Sequence, residues 1–262
     1  MSSVKILMSN IAYGRGLSGS FSDQVLRAYR HVYCRRQVQQ GVVEAVRELV
    51  SAEKPDVCGF VEIDRGRAAG RAFNQLHAIL DERYPHWDIA NKYFRGAKSH
   101  LVPFLGRNCN AFCARRALPF ERVYLASGIK RLVYKISLSA RLTLFFTHFS
   151  LRRKIRAQQF QDLRAVLDAT PGEHVVMGDF NIFGGLAEIG PFMKGSDLVL
   201  LNDLEETTHR FHRLHRVLDL CFCSKRLRPK ASVRVVEQGY SDHAAPVLRL
   251  EGMRVRVPEE VE

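Results

Sequence analysis

Short apolar, β-prone runs recur along this sequence, and most of them stop at an amide, a carboxylate or a histidine. Val4–Ser9 runs into Asn10, Asp56–Val61 into Glu62, and Val175–Met177 into Gly178-Asp179-Phe180-Asn181. Asn110–Ala114, Leu132–Ser137, Leu142–Phe149, His174–Met177, Val217–Phe222, Val233–Val236 and Val247–Leu250 read as further strands. Two stretches carry helical spacing instead. Val38, Val42, Val46, Leu49 and Val50 predict a helix that stops before Pro55. Leu151, Ile155, Leu163, Val166 and Leu167 predict another, ending near Pro171, and a shorter helical piece is expected around Phe73–Leu80. Strands alternate with helices but also come in adjacent pairs, such as 132–137 with 142–149. That pattern predicts an α/β fold of mixed sheets covered by helices.

The chain has 262 residues, of which 46% are hydrophobic and 26% charged. A chain of that size and balance builds a core without disulfides or structural metal, and a disordered, collagen-like or coiled-coil architecture is excluded. We read one domain over 1–262, with its core at about 4–250 and a short acidic C-terminal tail. Six cysteines show no C-x-x-C pair; Cys58, Cys221 and Cys223 lie in apolar runs and read as buried free thiols. The start MSSVKILMSN lacks the features of a signal peptide, and no apolar run approaches a membrane span. A cytoplasmic monomer is the default expectation, with peripheral contact at a membrane left open. Residues 11–36 are long, Gly-punctuated and aromatic, and read either as a lid over a site or as a surface excursion.

Forty Lys+Arg against 27 Asp+Glu give a net charge of +13, and thirty of the forty are Arg. Guanidinium pairs bidentately with phosphate. An anionic partner is therefore expected, whether nucleic acid, an anionic membrane face or a phosphorylated small molecule. A basic surface serving solubility alone stays open.

The polar residues at the strand ends carry the chemistry. An open α/β fold places its site there. Taken singly, Asn10 or Glu62 would serve as a strand-end cap, and His148 in Thr147-His148-Phe149 as a satisfied structural histidine. Asp219 is a stronger signal, because a carboxylate inside the apolar run Val217–Phe222 needs a buried partner or a cation. Together with Asp242 and His243 in Ser241-Asp242-His243, these residues supply oxygen ligands suited to Mg²⁺ or Mn²⁺ and two imidazoles for proton transfer.

In this order, Asn10, Glu62, Thr147-His148, Gly178-Asp179-Phe180-Asn181, Asp219 and Ser241-Asp242-His243 resemble the endonuclease/exonuclease/phosphatase (DNase I-like) superfamily over nearly the whole chain. The resemblance implies a four-layer α/β sandwich, two mixed β-sheets flanked by helices, and an Mg²⁺- or Mn²⁺-dependent phosphoester hydrolase. It implies Glu62 as main metal ligand, helped by Asn10 and Asp242. Asp179 and Asn181 would position the attacking water and the phosphate. His243, polarised by Asp219, would contact the phosphate or act as base, and His148 would act on the phosphate or as acid toward the leaving group.

Asn110, in a segment similar to a family strand, is expected to reach the phosphate. Arg65, Arg67, Arg71, Asn74 and Gln75 follow Glu62 and would sit near the mouth of the site. Arg152, Arg153 and Arg156 share one helix face and read as a phosphate-tracking patch or a solvated face. The segment 209–216 departs from the family pattern. It reads as a basic loop in which Arg210 and Arg213 grip substrate phosphate, and the spacing of His209, His212 and His215 raises a second metal site.

Nuclease action on DNA or RNA is the first functional reading. The alternative is a phospholipid-headgroup or inositol-phosphate phosphodiesterase or phosphatase, with Tyr93-Phe94 and Leu101–Leu105 touching a bilayer. A non-catalytic phosphate-binding chain is the third.

Overall fold

The computed structural model describes residues 2–66, 73–93 and 108–256. Among them lie two six-stranded sheets. The first holds β1 (Ser3–Asn10), β2 (Val57–Asp64), β3 (His86–Asn91), β4 (Asn108–Ala114), β13 (Ala231–Val236) and β14 (Ala245–Glu251), in the order β13-β14-β1-β2-β4-β3. The second holds β5 (Phe120–Tyr124), β6 (Leu132–Ser139), β7 (Leu142–His148), β8 (Glu173–Asp179), β9 (Leu198–Leu200) and β12 (Asp219–Ser224), in the order β5-β6-β7-β8-β12-β9. A small hairpin, β10 (His209–Phe211) and β11 (Leu214–Arg216), stands apart from both.

Each sheet contains one parallel pair at its centre, β1 with β2 and β7 with β8, and its other pairs are antiparallel. A parallel pair needs a crossover, and a long helix supplies each one: α2 (Arg36–Glu53) and α4 (Arg153–Asp168). Helix α2 buries Val42, Val46 and Val50 of the predicted stripe and also Val43, while Val38 and Leu49 are half-buried. It ends where Lys54 turns left-handed, at φ 50°, and donates its N–H to Val50 O, with Pro55 next. Among the described residues there are also three shorter α-helices: α1 (Phe21–Leu26), α3 (Gln75–Ile79) and α5 (Gly190–Met193).

Strand alternation sorts the core into three layers. Ile6, Met8 and Val57 of the first sheet meet Leu144, Phe146, Val175 and Met177 of the second. Leu7, Cys58 and Phe60 point the other way, onto α2 and α3. Phe145, Val176 and Phe222 pack on Phe160, Leu163 and Leu167 of α4. Two sheets back to back with helices outside give the expected four-layer sandwich.

Several expectations need correction. Strands β3 and β5 were not predicted, because as edge strands they mix polar and apolar residues and carry no apolar run. The segment 209–216 is a hairpin and not a loop. Arg156 does not join a phosphate-tracking face: it is buried, and its guanidinium grips Glu188 with Nη2 2.7 Å from both carboxylate oxygens. Tyr93 is 7% exposed and cannot touch a bilayer, while Phe94 and Leu101–Leu105 lie outside the described residues. All six cysteines are free, and Cys58, Cys221 and Cys223 are buried as predicted. Among the described residues no helix is long and apolar enough to cross a membrane.

Candidate active site

Parallel strands that start together also end together. Asn10 lies opposite Val61, next to Glu62, and His148 lies opposite Asp179. Antiparallel β12 begins at Asp219, which pairs with Asp179. The turn before β14 brings Asp242 and His243 to the same end. Asn10, Glu62, His148, Asp179, Asn181, Asp242 and His243 line one cleft of about 210 Å³, with Asp219 behind His243. Asn10 and Glu62 come from one sheet, and His148 and Asp179 from the other, so the cleft sits where the two sheets meet.

Two of these residues carry left-handed backbone. Asn181 has φ 52°, which asparagine tolerates. Glu62 has φ 55°, a strained value for glutamate, and it sits where the register of β2 with β4 shifts between Phe60 and Ile63. The bulge re-aims one side chain without disturbing the strand on either side.

Hydrogen bonds fix the constellation. Asn10 Nδ2 donates to Asp179 Oδ2 (3.1 Å), and Asn10 Oδ1 accepts from Ala12 N (3.0 Å). Asp179 Oδ1 accepts from Asn181 N (3.0 Å), whose side-chain Nδ2 donates to Phe149 O (3.0 Å). His243 Nδ1 lies 2.7 Å from Asp219 Oδ2. Thr208 Oγ1 accepts the N–H of Asp219 (2.9 Å), and Ser241 Oγ donates to Asn10 O (2.8 Å), tying the last turn to β1. His209 Nε2 stands 3.5 Å from Asp242 Oδ2.

The electrostatics are sharply divided. Burial alone would lower His243, but the Asp219 and Asp179 carboxylates outweigh it and raise its pKa to about 10. His148 goes the opposite way, held well below its ordinary value by burial and by Lys130 and Lys92. Burial lifts Asp179 to about 6. Glu62 stays below its usual value despite burial, because Lys92 and Lys130 stand 3.6 and 3.9 Å from Oε1. Lys92 itself is pushed down to about 7 by burial and by Lys130.

Sequence reasoning missed Lys92 and Lys130, although Lys130 Nζ lies 2.5 Å from His148 Nε2. Each is an isolated lysine in a polar stretch, and only the meeting of the two sheets buries it. Arg15, Leu17, His31, Phe183 and His209 also line the cleft.

The lower-tier substrate residues fare differently. Asn110 is fully buried and does not line the cleft; both its amide atoms lack a hydrogen-bond partner. Asn74 caps α3, accepting from His77 N (3.2 Å). Gln75 is buried, spanning Tyr13 O and Asp64 N. Arg65 is exposed beyond β2, and Arg67 and Arg71 lie outside the described residues. Arg210 pairs with Glu237 (2.8 Å), and Arg213 is exposed in the hairpin turn. His209 pairs with Arg216 and Arg210 with His215, so His209 and His215 face opposite sides of the hairpin and no triple-histidine site forms. His212, in the turn, packs its ring edge-on against Phe21.

The donor set fits a hard divalent cation. Glu62, Asp179 and Asp242 present three carboxylates in one small cleft beside the Asn10 and Asn181 amides. Asp219 Oδ1 is buried without a hydrogen-bond partner. The ligand atoms of Asp179, Asp219 and His243, and those of His209, Asp242 and His243, each fall within 4.8 Å of one another.

A fold of this kind with this cleft defines a class, and the family model for the Endonuclease/Exonuclease/phosphatase family matches residues 39–243. The chain belongs to that family. Solved structures agree on the fold. Truncated TDP2 from Caenorhabditis elegans is similar at 17% identity and a TM-score of 0.62, covering 95% of this chain and 97% of that one. The human Nocturnin catalytic domain with bound sulfate is similar at 18% identity and 0.62, covering 94% and 93%. The endonuclease domain of TRAS1, a telomere-specific non-LTR retrotransposon, is similar at 13% and 0.57, covering 97% and 99%. A comparison with the curated proteins gives no match.

Proposed function

We propose that this chain is a divalent-metal-dependent phosphodiesterase that cleaves DNA or RNA by attack of water on phosphorus. One observation carries the reading: the carboxylates of Glu62, Asp179 and Asp242 and the imidazoles of His148 and His243, from both sheets and the turn before β14, line a single cleft of about 210 Å³. Glu62, Asn10 and Asp242 would hold Mg²⁺ or Mn²⁺, which supplies positive charge to the phosphate oxygens when bound.

The chain's own groups do the rest. Asp179, with a pKa of about 6, is a base matched to neutral pH and accepts a proton from the attacking water. Asn181 Nδ2 is committed to Phe149 O, so its contribution is to fix the turn that aims Asp179. His243 keeps its proton because Asp219 holds Nδ1, and its other nitrogen donates to a phosphoryl oxygen as charge builds there. Lys130 Nζ, 2.5 Å from His148 Nε2, would pass a proton through this pair toward the leaving oxygen.

Nucleic acid is favoured as substrate by the thirty arginines and the net charge of +13. The likeness in fold to the TRAS1 endonuclease domain is in keeping with that direction. A lipid-headgroup substrate is the second reading. It is favoured by the apolar side chains exposed from the end of α1 to the start of α2: Leu26 is 74% exposed and Val32 92%.

The discriminating experiment offers the wild-type chain plasmid DNA, single-stranded DNA, RNA, an abasic duplex, anionic phospholipid vesicles and inositol phosphates, each with Mg²⁺ and Mn²⁺. Cleavage of a nucleic acid with intact lipids supports the first reading. Turnover confined to lipids or inositol phosphates moves the basic surface to a membrane or headgroup role.

A further inference from the structure

Arg15, Leu17 and His31 bring the segment 11–36 to the wall of the catalytic cleft. The turn that carries Arg15 follows the cleft amide Asn10 and is costly to hold. Ala12 and Tyr13 sit in left-handed backbone, at φ 44° and 56°. Three contacts impose it. Asn10 Oδ1 accepts from Ala12 N (3.0 Å), the buried Gln75 donates from Nε2 to Tyr13 O (2.7 Å), and Arg30 Nη1 donates to Gly16 O (3.0 Å). Gly14, at φ +68°, leaves no room for a side chain, since a Cβ there would stand 2.5 Å from Gln75 Nε2.

What the turn delivers is a fixed and unsatisfied guanidinium. Arg15 is half-buried, and its guanidinium carbon lies 4.9 Å from the centre of the Tyr13 ring. The Tyr13 hydroxyl accepts from Lys92 Nζ, so the ring itself is held in place. The charge of Arg15 reaches Glu62 and helps to keep that carboxyl below its usual range. The other cations here are engaged: Lys130 faces His148, Lys92 faces Glu62, and His243 holds Asp219. Among the described residues the Arg15 guanidinium has neither a hydrogen bond nor an ion pair. None of its unpartnered nitrogens is buried, so they are open to a ligand. Arg15 is also the only arginine among the described residues that lines the cleft.

We propose that Arg15 is a catalytic residue whose guanidinium grips two nonbridging oxygens of the phosphoryl group under attack. The proposal rests on the phosphoester-cleaving reading above and not on the choice of nucleic acid. A planar fork offers two parallel N–H groups to two phosphoryl oxygens, which lysine and histidine cannot do. Negative charge grows on those oxygens during attack, and a cation already fixed on a ring stabilises it without reorganising.

The test uses bis(p-nitrophenyl) phosphate, a diester with neither base nor acyl chain, and inorganic phosphate as a binding probe. The wild type, Arg15→Lys, Arg15→Ala and Arg141→Ala are compared with Mg²⁺ present. Arg141 is exposed in the turn before β7, at the far end of that strand from His148, and controls for the loss of one positive charge. Arg15→Ala should lose about 10²-fold or more in kcat/KM and about tenfold in phosphate affinity by calorimetry. Added methylguanidinium should restore about tenfold of the rate to Arg15→Ala and none to the wild type, which a merely structural arginine would not show. Arg15→Lys keeps the charge and the stem over Tyr13, so it folds even where the alanine variant does not, and should still lose about tenfold. Arg141→Ala should match the wild type. Wild-type turnover by Arg15→Ala, no phosphate binding by the wild type, or an unrescued loss of rate with unchanged phosphate affinity would overturn the assignment. A dinucleotide and phosphatidylglycerol vesicles replace the model diester in two further arms. A wild type that cuts only the lipid, with the Arg15→Ala loss intact, keeps the clamp and removes the nucleic-acid reading. A dinucleotide cut equally by the wild type and Arg15→Ala keeps that reading and removes the clamp.

Discussion

His243 should hold its proton far above neutrality. Its imidazole is buried, which alone would favour the neutral ring, but Asp219 Oδ2 at 2.7 Å outweighs this and raises the pKa to about 10. NMR titration of the metal-free chain should find His243 protonated through pH 8, and Asp219→Asn should bring its midpoint down. The sign for stability follows. A histidine whose folded pKa exceeds its unfolded value of about 6.5 contributes fully below that value and loses the contribution as pH rises toward 10. Urea midpoints should therefore fall between pH 6.5 and 9.5 in the wild type, and less steeply in Asp219→Asn. The same variant should lose about 10²–10⁴-fold in kcat, the usual scale for a displaced general acid or base. The side chains that meet at the cleft were legible in the sequence because most lie at the end or the start of an apolar run, and a carboxylate such as Asp219 inside one has few bland explanations. Lys92 and Lys130 were not legible. A lysine in a polar segment looks solvated until tertiary packing buries it, and the local sequence does not encode that packing. Asn74 was misread for the opposite reason: a side chain near the site in sequence is taken up locally, as a helix cap.

At the scale of elements, the two βαβ units do the positioning. Their parallel pairs, β1–β2 and β7–β8, set Asn10 beside Glu62 and His148 beside Asp179. Helix α4 is anchored to the loop after β8 through the buried pair of Arg156 with Glu188, whose side chains are 2% and 4% exposed. Removing one partner leaves a buried charge, so Arg156→Ala should cost about 3–5 kcal/mol. Chemical denaturation would read this as a lower midpoint with an unchanged slope, and a neighbouring exposed substitution such as Lys154→Ala should do little. Central strands and long helices announced themselves through apolar periodicity. The edge strands β3 and β5 did not, since neither carries an apolar run, whereas the edge strand β13 showed itself through Val233, Val235 and Val236. The hairpin β10–β11 also escaped, as its basic residues carry no apolar run. It is fixed by tertiary contacts: His212 N donates to Gly19 O (2.7 Å), and Gly19, at φ +75°, leaves no room for a Cβ against Arg210 O.

Across the whole molecule, the proposed function ties behaviour to charge and to a divalent cation. Binding to nucleic acid by a chain of net charge +13 should weaken steeply with salt, with a log–log slope that counts the phosphates engaged. A cation that binds only the folded chain should raise its thermal midpoint, by the equivalent of about 2.7 kcal/mol at a hundredfold excess over Kd. The most direct test of the account follows cleavage of labelled single-stranded DNA and RNA by the wild type, Glu62→Gln and His243→Ala, each with Mg²⁺ and with EDTA. The account predicts cleavage by the wild type with Mg²⁺, none with EDTA, and a loss of about 10²-fold or more in each variant. Cleavage that survives EDTA, or a Glu62→Gln chain that cuts at the wild-type rate, would contradict it.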